Sequence, residues 1–367
     1  MSLLQHPQPS NRTSNLQQNN HHNHNHNNQN GSSLPKHFIP DVTKIPMVTP
    51  RPSSSTLPLQ STKQIGTPQP PPIITQDMRN QTNLPDSLPQ VKCIARARIP
   101  TTQGPDIFLH LYENNIDNKE HLAIVFGEDI RSRSLFKQQP GDTQQDRMTR
   151  GAYIGKLTPG RHIADSFIDS RGIEHKLNFD QNGNLIVDKN TYTLPSLVRI
   201  HSECYTGETA WSARCDCGEQ FDQAGKIMGE QGHGCMVYLR QEGRGIGLGE
   251  KLKAYNLQDL GADTVEANLI LRHPADARNF SLATAILLDL GLVEIKLLTN
   301  NPDKIIAVEG KYQEIKVIER IPMIPLSWSV EGRTNGNGIK SKEIDGYLST
   351  KIERMGHLLE KPIKINN

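Results

Sequence analysis

The sequence has no long apolar run. Its greasiest stretch, residues 282–298, is broken by Asp289, Glu294 and Lys296. That falls short of the roughly 18 unbroken apolar residues that mark a spanning helix, so no membrane partner is expected. Net charge is also scarce: 41 Lys plus Arg against 39 Asp plus Glu leave +2 at pH 7. A chain so balanced does not bind polyanions by bulk electrostatics, and at 5% aromatic residues it has few stacking platforms, so no nucleic-acid partner is expected. The opening MSLLQHPQPS lacks the cationic start, apolar run and cleavage site of a secretory signal, which predicts a cytoplasmic protein and leaves a nuclear pool open. Cysteine is sparse too. There are five, an odd number for a disulfide framework, and three of them crowd between Cys204 and Cys217 in the manner of metal chemistry.

What is present divides into a polar tail and a patterned body. Residues 1–89 are rich in Asn, Gln, Ser and Pro, with a His/Asn tract and a PQPPP run. Such a stretch buries too little apolar surface to offset the entropy of ordering, so a disordered low-complexity tail is expected there. Residues 90–360 read as one catalytic domain. VKCIARARIPT, IFLHLYENN and HLAIVFGED alternate in the period-2 manner of half-buried strands. Polar text follows at about 131–189 and reads as an insertion into a sheet. From residue 195 strands and helices alternate: strands at LVRIHSEC, CMVYLRQ, VEIKLLTNN and KYQEIKVIERIPM, and helices at 219–230, GEKLKAYNLQDLG, FSLATAILLDLG and KIIAVEG. This predicts an α/β fold, a mixed sheet with flanking helices, with ligand sites where strand ends meet helix starts. The last helical stretch, DGYLSTKIERMGHLLE, is expected on the outside or against a partner subunit.

Four local patterns carry chemistry. Cys204, Cys215 and Cys217 lie within HSECYTGETAWSARCDCG. Three close thiolates suit tetrahedral Zn²⁺ with one position left for water, whereas a structural zinc ribbon would bring a second paired knuckle. His201 and Glu203 echo the H-x-E of zinc nucleobase deaminases, but the later pair has one spacer and no proline, which makes a zinc-dependent purine nucleotide deaminase the alternative. In QEGRGIGLGEKLKAY, glycines between a strand and a helix offer backbone amides for an anion, and Arg244 adds a phosphate fork. Glu242 in that turn either accepts from a guanine-like edge or pairs with Arg244. In RHPADARNFS, Asp276 and Arg278 sit two apart on an extended stretch and face one way, as base and phosphate clamp; the plainer reading has Asp276 capping the next helix and Arg278 pairing with a surface acid. LLTNNPDK places Thr299 and Lys304 at a sheet edge where phosphates bind. Several phosphate-competent loops beside an open zinc site point to a nucleoside triphosphate.

The ordered run RIHSEC, SARCDCG, RQEGRGIGL, YNLQDLGADTVEAN, Asp276-x-Arg278, LLTNNPDK and KIERMGHLL resembles GTP cyclohydrolase II, over about 91–359 apart from the insertion. The resemblance implies zinc on Cys204, Cys215 and Cys217, with its water attacking C8 of guanine. The implied products are 2,5-diamino-6-(5-phospho-ribosylamino)pyrimidin-4(3H)-one, formate and diphosphate, at the first committed step of riboflavin biosynthesis. It implies GTP binding by Arg199, Ile200, His201, Ser202, Glu203, Gln220, Glu242, Gly243, Arg244, Thr264, Thr299 and Lys304. It makes Asp276 the proton acceptor, Arg278 the nucleophile towards the α-phosphate and Tyr255 an aid to ring opening. A guanidinium with a pKa above about 12 is almost never neutral, so a clamp is the simpler role for Arg278. Mg²⁺ on the triphosphate and a homodimer are implied as well. Residues 131–189 and about 327–340 have no counterpart in the compact family pattern. The dihydroxybutanone-phosphate synthase domain that many bacterial relatives carry is expected to be missing.

Overall fold

A computed structural model describes residues 66–82, 84–102, 104–187, 195–329 and 338–361. The first part of the chain forms α1 (Gln76–Gln81), β1 (Val91–Pro100), β2 (Asp106–Asn114) and β3 (His121–Phe126). Next come α2 (Arg133–Phe136), α3 (Gln144–Arg150) and four short strands, β4 (Ser166–Ile168), β5 (Glu174–Lys176), β6 (Asn178–Phe179) and β7 (Leu185–Ile186). Then follow β8 (Ser196–Ser202), α4 (Tyr205–Glu208), α5 (Cys217–Gln231), β9 (Gly234–Leu239), α6 (Leu248–Asp259) and α7 (Thr264–Ile270). The described chain ends with α8 (Ser281–Asp289), β10 (Glu294–Leu298), α9 (Pro302–Glu309), β11 (Lys316–Ile321) and α10 (Lys342–Glu353).

Seven strands form one mixed sheet in the order β1-β2-β3-β9-β8-β10-β11. The β1, β2, β3 and β9 pairings are antiparallel, and β9, β8, β10 and β11 run parallel. The parallel strands β8 and β9 are almost continuously buried, as strands covered on both faces must be. Alternation splits their side chains between two cores. Val198, Ile200, Cys235, Val237 and Leu239 pack with α8, which is buried along nearly its whole length in the larger core. Leu197 and Met236 point the other way, against Ala224, Ile227 and Met228 of α5. By the same period of two, Arg199 and His201 emerge on the α5 side of the sheet.

The polar stretch expected as an insertion is knit into the main body. Leu135, Phe136, Ala152, Ile154 and Leu177 belong to the larger core. Buried Arg147 pairs with Asp165 at 2.8 Å, and β4–β5 and β6–β7 form two small hairpins.

Residues 66–82, inside the stretch read as a tail to 89, hold contacts with the body of the protein. Gln69 bridges antiparallel to Arg320 on the edge strand β11. Thr75 caps α1, and Arg79, 2% exposed, pairs with Glu309 at 2.5 Å. One buried arginine with a carboxylate partner anchors a stretch whose average composition is that of a tail. Residues 1–65, including the His/Asn tract, lie outside the described residues, as do 330–337 of the expected extra segment. Among the described residues, no helix is long and apolar enough to cross a membrane.

α7 escapes a search for helical periodicity, yet its start is written in a capping box: Asp263 accepts from Val265 N and Glu266 N, and Glu266 reaches back to Asp263 N.

Candidate active site

The carboxyl ends of the parallel strands open into one pocket lined from β8, α5, the turn before α6, α7, the stretch before α8, the loop after β10 and the C-terminal segment. The predicted site residues meet there, with two exceptions, Ile200 and Asp276. The Ile200 side chain faces the larger core, as alternation requires, and only its carbonyl reaches inward, accepting from Lys304 Nζ at 2.9 Å. Asp276 stands behind Arg278, whose Nε donates to it at 2.8 Å and whose Nη2 donates to its other oxygen. Asp276 does not cap α8, which opens at Phe280 with no side-chain cap.

The three thiols converge because the loop leaving β8 folds back on the start of α5. Their sulfurs lie within 4.8 Å of one another, Cys204 Sγ and Cys215 Sγ being 3.6 Å apart. Gly207 backs them closely. A Cβ there would stand 2.8 Å from Cys215 Sγ and 3.2 Å from Cys204 Sγ. Among the described residues, no fourth His, Cys, Asp or Glu joins the group. Three soft donors with one side open fit zinc in the form expected of a reactive site. Hydrogen bonds from Cys215 and Cys217, with the Lys251 ammonium at 3.2 Å, favour the thiolate at Cys204. His201 stays out of the cluster: its Nε2 meets Glu208 at 2.8 Å, and Glu203 pairs with Arg240 at 3.0 Å. The deaminase echo therefore does not become deaminase geometry.

The glycine turn is sharply bent and lines the pocket with Gly243 and Arg244. Gly243 and Arg244 both take left-handed φ, 64° and 59°, and some of the turn's amides bond within it. Gly243 N donates to Glu242 Oε1 at 2.8 Å, and Gly247 N donates to the Glu242 carbonyl at 2.9 Å. These bonds brace the turn against the start of α6. Gly245 lets it press on the neighbouring loop, since a Cβ would stand 2.9 Å from the Ala277 carbonyl. Glu242 pairs with Lys251, at 2.8 Å, and not with Arg244; it also accepts from Tyr205 N at 2.6 Å.

Several cations line the same pocket. Arg199 donates to Gln220 Oε1 at 2.6 Å, and Arg244 Nη1 is buried without a hydrogen-bond partner. Burial, with Arg278, Arg199 and Lys351 nearby, pushes the Lys304 ammonium well below its ordinary pKa. Burial and the same kind of company push His357 down to about 2. Burial opposes the charge on Arg278, yet Asp276 outweighs it and raises the guanidinium's pKa. Tyr255 is held a phenol by burial, and its hydroxyl meets Thr206 Oγ1 at 3.0 Å.

Lys251, Tyr347, Lys351 and His357 also line the pocket and were missed by the motif reading. Lys251 had a signal, since it lies four residues before Tyr255 on one helix and so shares its face. Tyr347 and Lys351 are spaced the same way on α10, but nothing local says where α10 docks. The structure packs α10 into the site, not outside it.

The family model for GTP cyclohydrolase II matches residues 168–322, starting inside the stretch read as an insertion. The chain is 74% identical over 290 residues to GTP cyclohydrolase-2 of Meyerozyma guilliermondii, covering 78% of this chain and 85% of that protein. It belongs to the GTP cyclohydrolase II family. GTP cyclohydrolase-2 of Saccharomyces cerevisiae is 64% identical over 293 residues, covering 76% of this chain and 83% of the relative. A riboflavin biosynthesis protein of Chlamydia muridarum, RibBA, is 38% identical over 279 residues, covering 76% of this chain and 47% of its own length. GTP cyclohydrolase II is an enzyme family, and the pocket of this member combines three thiols with a surplus of cations.

Proposed function

We propose that the enzyme opens the imidazole ring of GTP in riboflavin biosynthesis, releasing formate and diphosphate. The observation behind this is that a three-thiol cluster and the cations Arg199, Arg244, Arg278 and Lys304 wall one pocket. An electrophilic carbon under attack and a polyphosphate need those two environments side by side.

Cys204, Cys215 and Cys217 would hold zinc, which when bound supplies the Lewis acidity that makes water a nucleophile at neutral pH. Tyr255 holds a proton beside the thiols for ring opening. Arg199, Arg244 and Lys304 take the charge of the triphosphate, which offsets the cost of their burial. His201, Ser202, Glu203, Gln220, Gly243, Thr264 and Thr299 line the remaining walls and bind GTP there. Glu242 acts through its hold on Lys251, and Ile200 through its carbonyl. Asp276 is the proton acceptor, and its fork to Arg278 keeps that guanidinium charged. A charged guanidinium clamps the developing phosphate charge and does not attack it. Mg²⁺ comes with the triphosphate as part of the substrate.

A homodimer is proposed on the apolar residues exposed by α6 and α7, Leu252, Leu269 and Ile270, and sedimentation tests it. A cytoplasmic location is proposed with it, tested by imaging the tagged chain. Formate and diphosphate released from GTP, absent with ATP and abolished by zinc removal, test the reaction. Ammonia in place of formate would mean a deaminase.

A further inference from the structure

The C-terminal segment is strapped across the mouth of the metal loop. Ser341 Oγ donates to the Ala213 carbonyl at 2.7 Å, Arg354 pairs with Asp263 at the start of α7, and Leu358 N donates to the Asn300 carbonyl at 2.8 Å. Between these anchors, one turn apart on α10, lie Tyr347 and Lys351. Tyr347 Oη is 3.8 Å from Cys217 Sγ. Lys351 Nζ donates to Asp216 Oδ1 at 2.8 Å and lies 4.2 Å from the centre of the Tyr347 ring.

Asp216 is the residue between Cys215 and Cys217, and it is 1% exposed. Its other oxygen accepts from Gln220 Nε2 at 2.5 Å, and Gln220 Oε1 accepts from Arg199 at 2.6 Å. Lys351 therefore supplies the cation in direct contact with a buried carboxylate that lies between two of the thiols in sequence. Without it, Asp216 keeps only Gln220 as a side-chain donor, a poor substitute for a charge partner.

We propose that α10 is the outer wall of the metal site: Tyr347 hydrogen-bonds to the Cys217 thiolate, Lys351 pins Asp216, and together these positioning residues set how tightly zinc is kept. Partners of this kind orient metal ligands and raise their affinity, typically by roughly 10- to 100-fold. The proposal rests on the zinc reading above and extends it to a helix outside the cysteine motif.

The test uses the full chain with zinc alone and with cobalt in its place. Zinc release to a chromophoric chelator is timed for the parent, Tyr347→Phe, Lys351→Met and Lys351→Arg, and the thiolate-to-cobalt absorption is recorded for each. Faster release by about tenfold or more is expected for Tyr347→Phe and Lys351→Met, with a shifted cobalt band for Tyr347→Phe and recovery in Lys351→Arg. Tyr347→Phe removes one oxygen, so a folding defect does not hide the result. Unchanged release and an unchanged band in Tyr347→Phe and Lys351→Met would overturn the proposal while leaving the zinc reading intact. A parent chain that keeps no zinc would overturn the zinc reading itself and this proposal with it.

Discussion

The Lys251 ammonium stands 3.2 Å from the Cys204 sulfur, held there by its pair with Glu242. Both partners of that pair are largely buried, at 12% and 9% side-chain exposure. Glu242→Gln leaves a buried ammonium without its carboxylate, which costs on the order of 3 kcal/mol. Urea unfolding of the variant should show a loss of that size, and an unchanged midpoint would show that the ion pair contributes nothing net.

Cys215→Ser replaces a soft donor with a hard, protonated one. The variant is expected to purify without stoichiometric zinc and to release no formate from GTP. Metal analysis beside a formate assay checks it, and full turnover by a zinc-free variant would remove zinc from the chemistry.

Arg278→Lys separates clamp from nucleophile. A lysine keeps the positive charge but loses the fork on Asp276, so turnover should fall by about 10²-fold and remain measurable. Complete loss, with GTP binding retained, would favour a covalent role. Trapping of a nucleotide on the parent enzyme during turnover would favour it too.

His110 gives the fold a pH dependence. Burial, with Arg96 nearby, holds it neutral and pushes its pKa down to about 3, while an unfolded histidine titrates near about 6.5. Between these values the unfolded chain binds the extra proton, so stability falls as pH drops, by up to about 1.4 kcal/mol per pH unit. Urea unfolding between about pH 7 and about pH 5 should therefore show a shallower slope for His110→Gln than for the parent.

A chain begun at residue 87 should be less stable than one begun at residue 60. The shorter form loses Gln69 from the β11 edge and leaves Glu309 without Arg79, a cost on the order of 3 kcal/mol. Equal melting temperatures would show that the docked segment is passive.

Much of the site was legible because its chemistry is dense in sequence. Cys204, Cys215 and Cys217 lie close along the chain, and the alternation of β8 already decides that Arg199 and His201 share a face while Ile200 does not. The core role of α8 is equally plain, since a helix this rich in apolar residues has to be buried. Other features were hidden by their range. Glu242 has Arg244 two residues away but pairs with Lys251 one helix further on, because the turn carries Arg244 off in a left-handed bend. Arg79 reads as one charge in a polar tail until Glu309, far along the chain, is placed beside it.

The sequence by itself determined the identity and spacing of the thiols, the alternation of strands and helices after residue 195 and the family to which the chain belongs. These follow from side-chain chemistry and from the short periods of helix and strand, which are local. Only the tertiary structure decided that the stretch around Gln69 pairs with the edge strand β11, that Glu242 of the glycine turn pairs with Lys251, and that α10 covers the metal loop. Each depends on long-range pairing of buried charges, Arg79 with Glu309, Lys251 with Glu242 and Lys351 with Asp216, and no local pattern encodes which partner a buried charge will find.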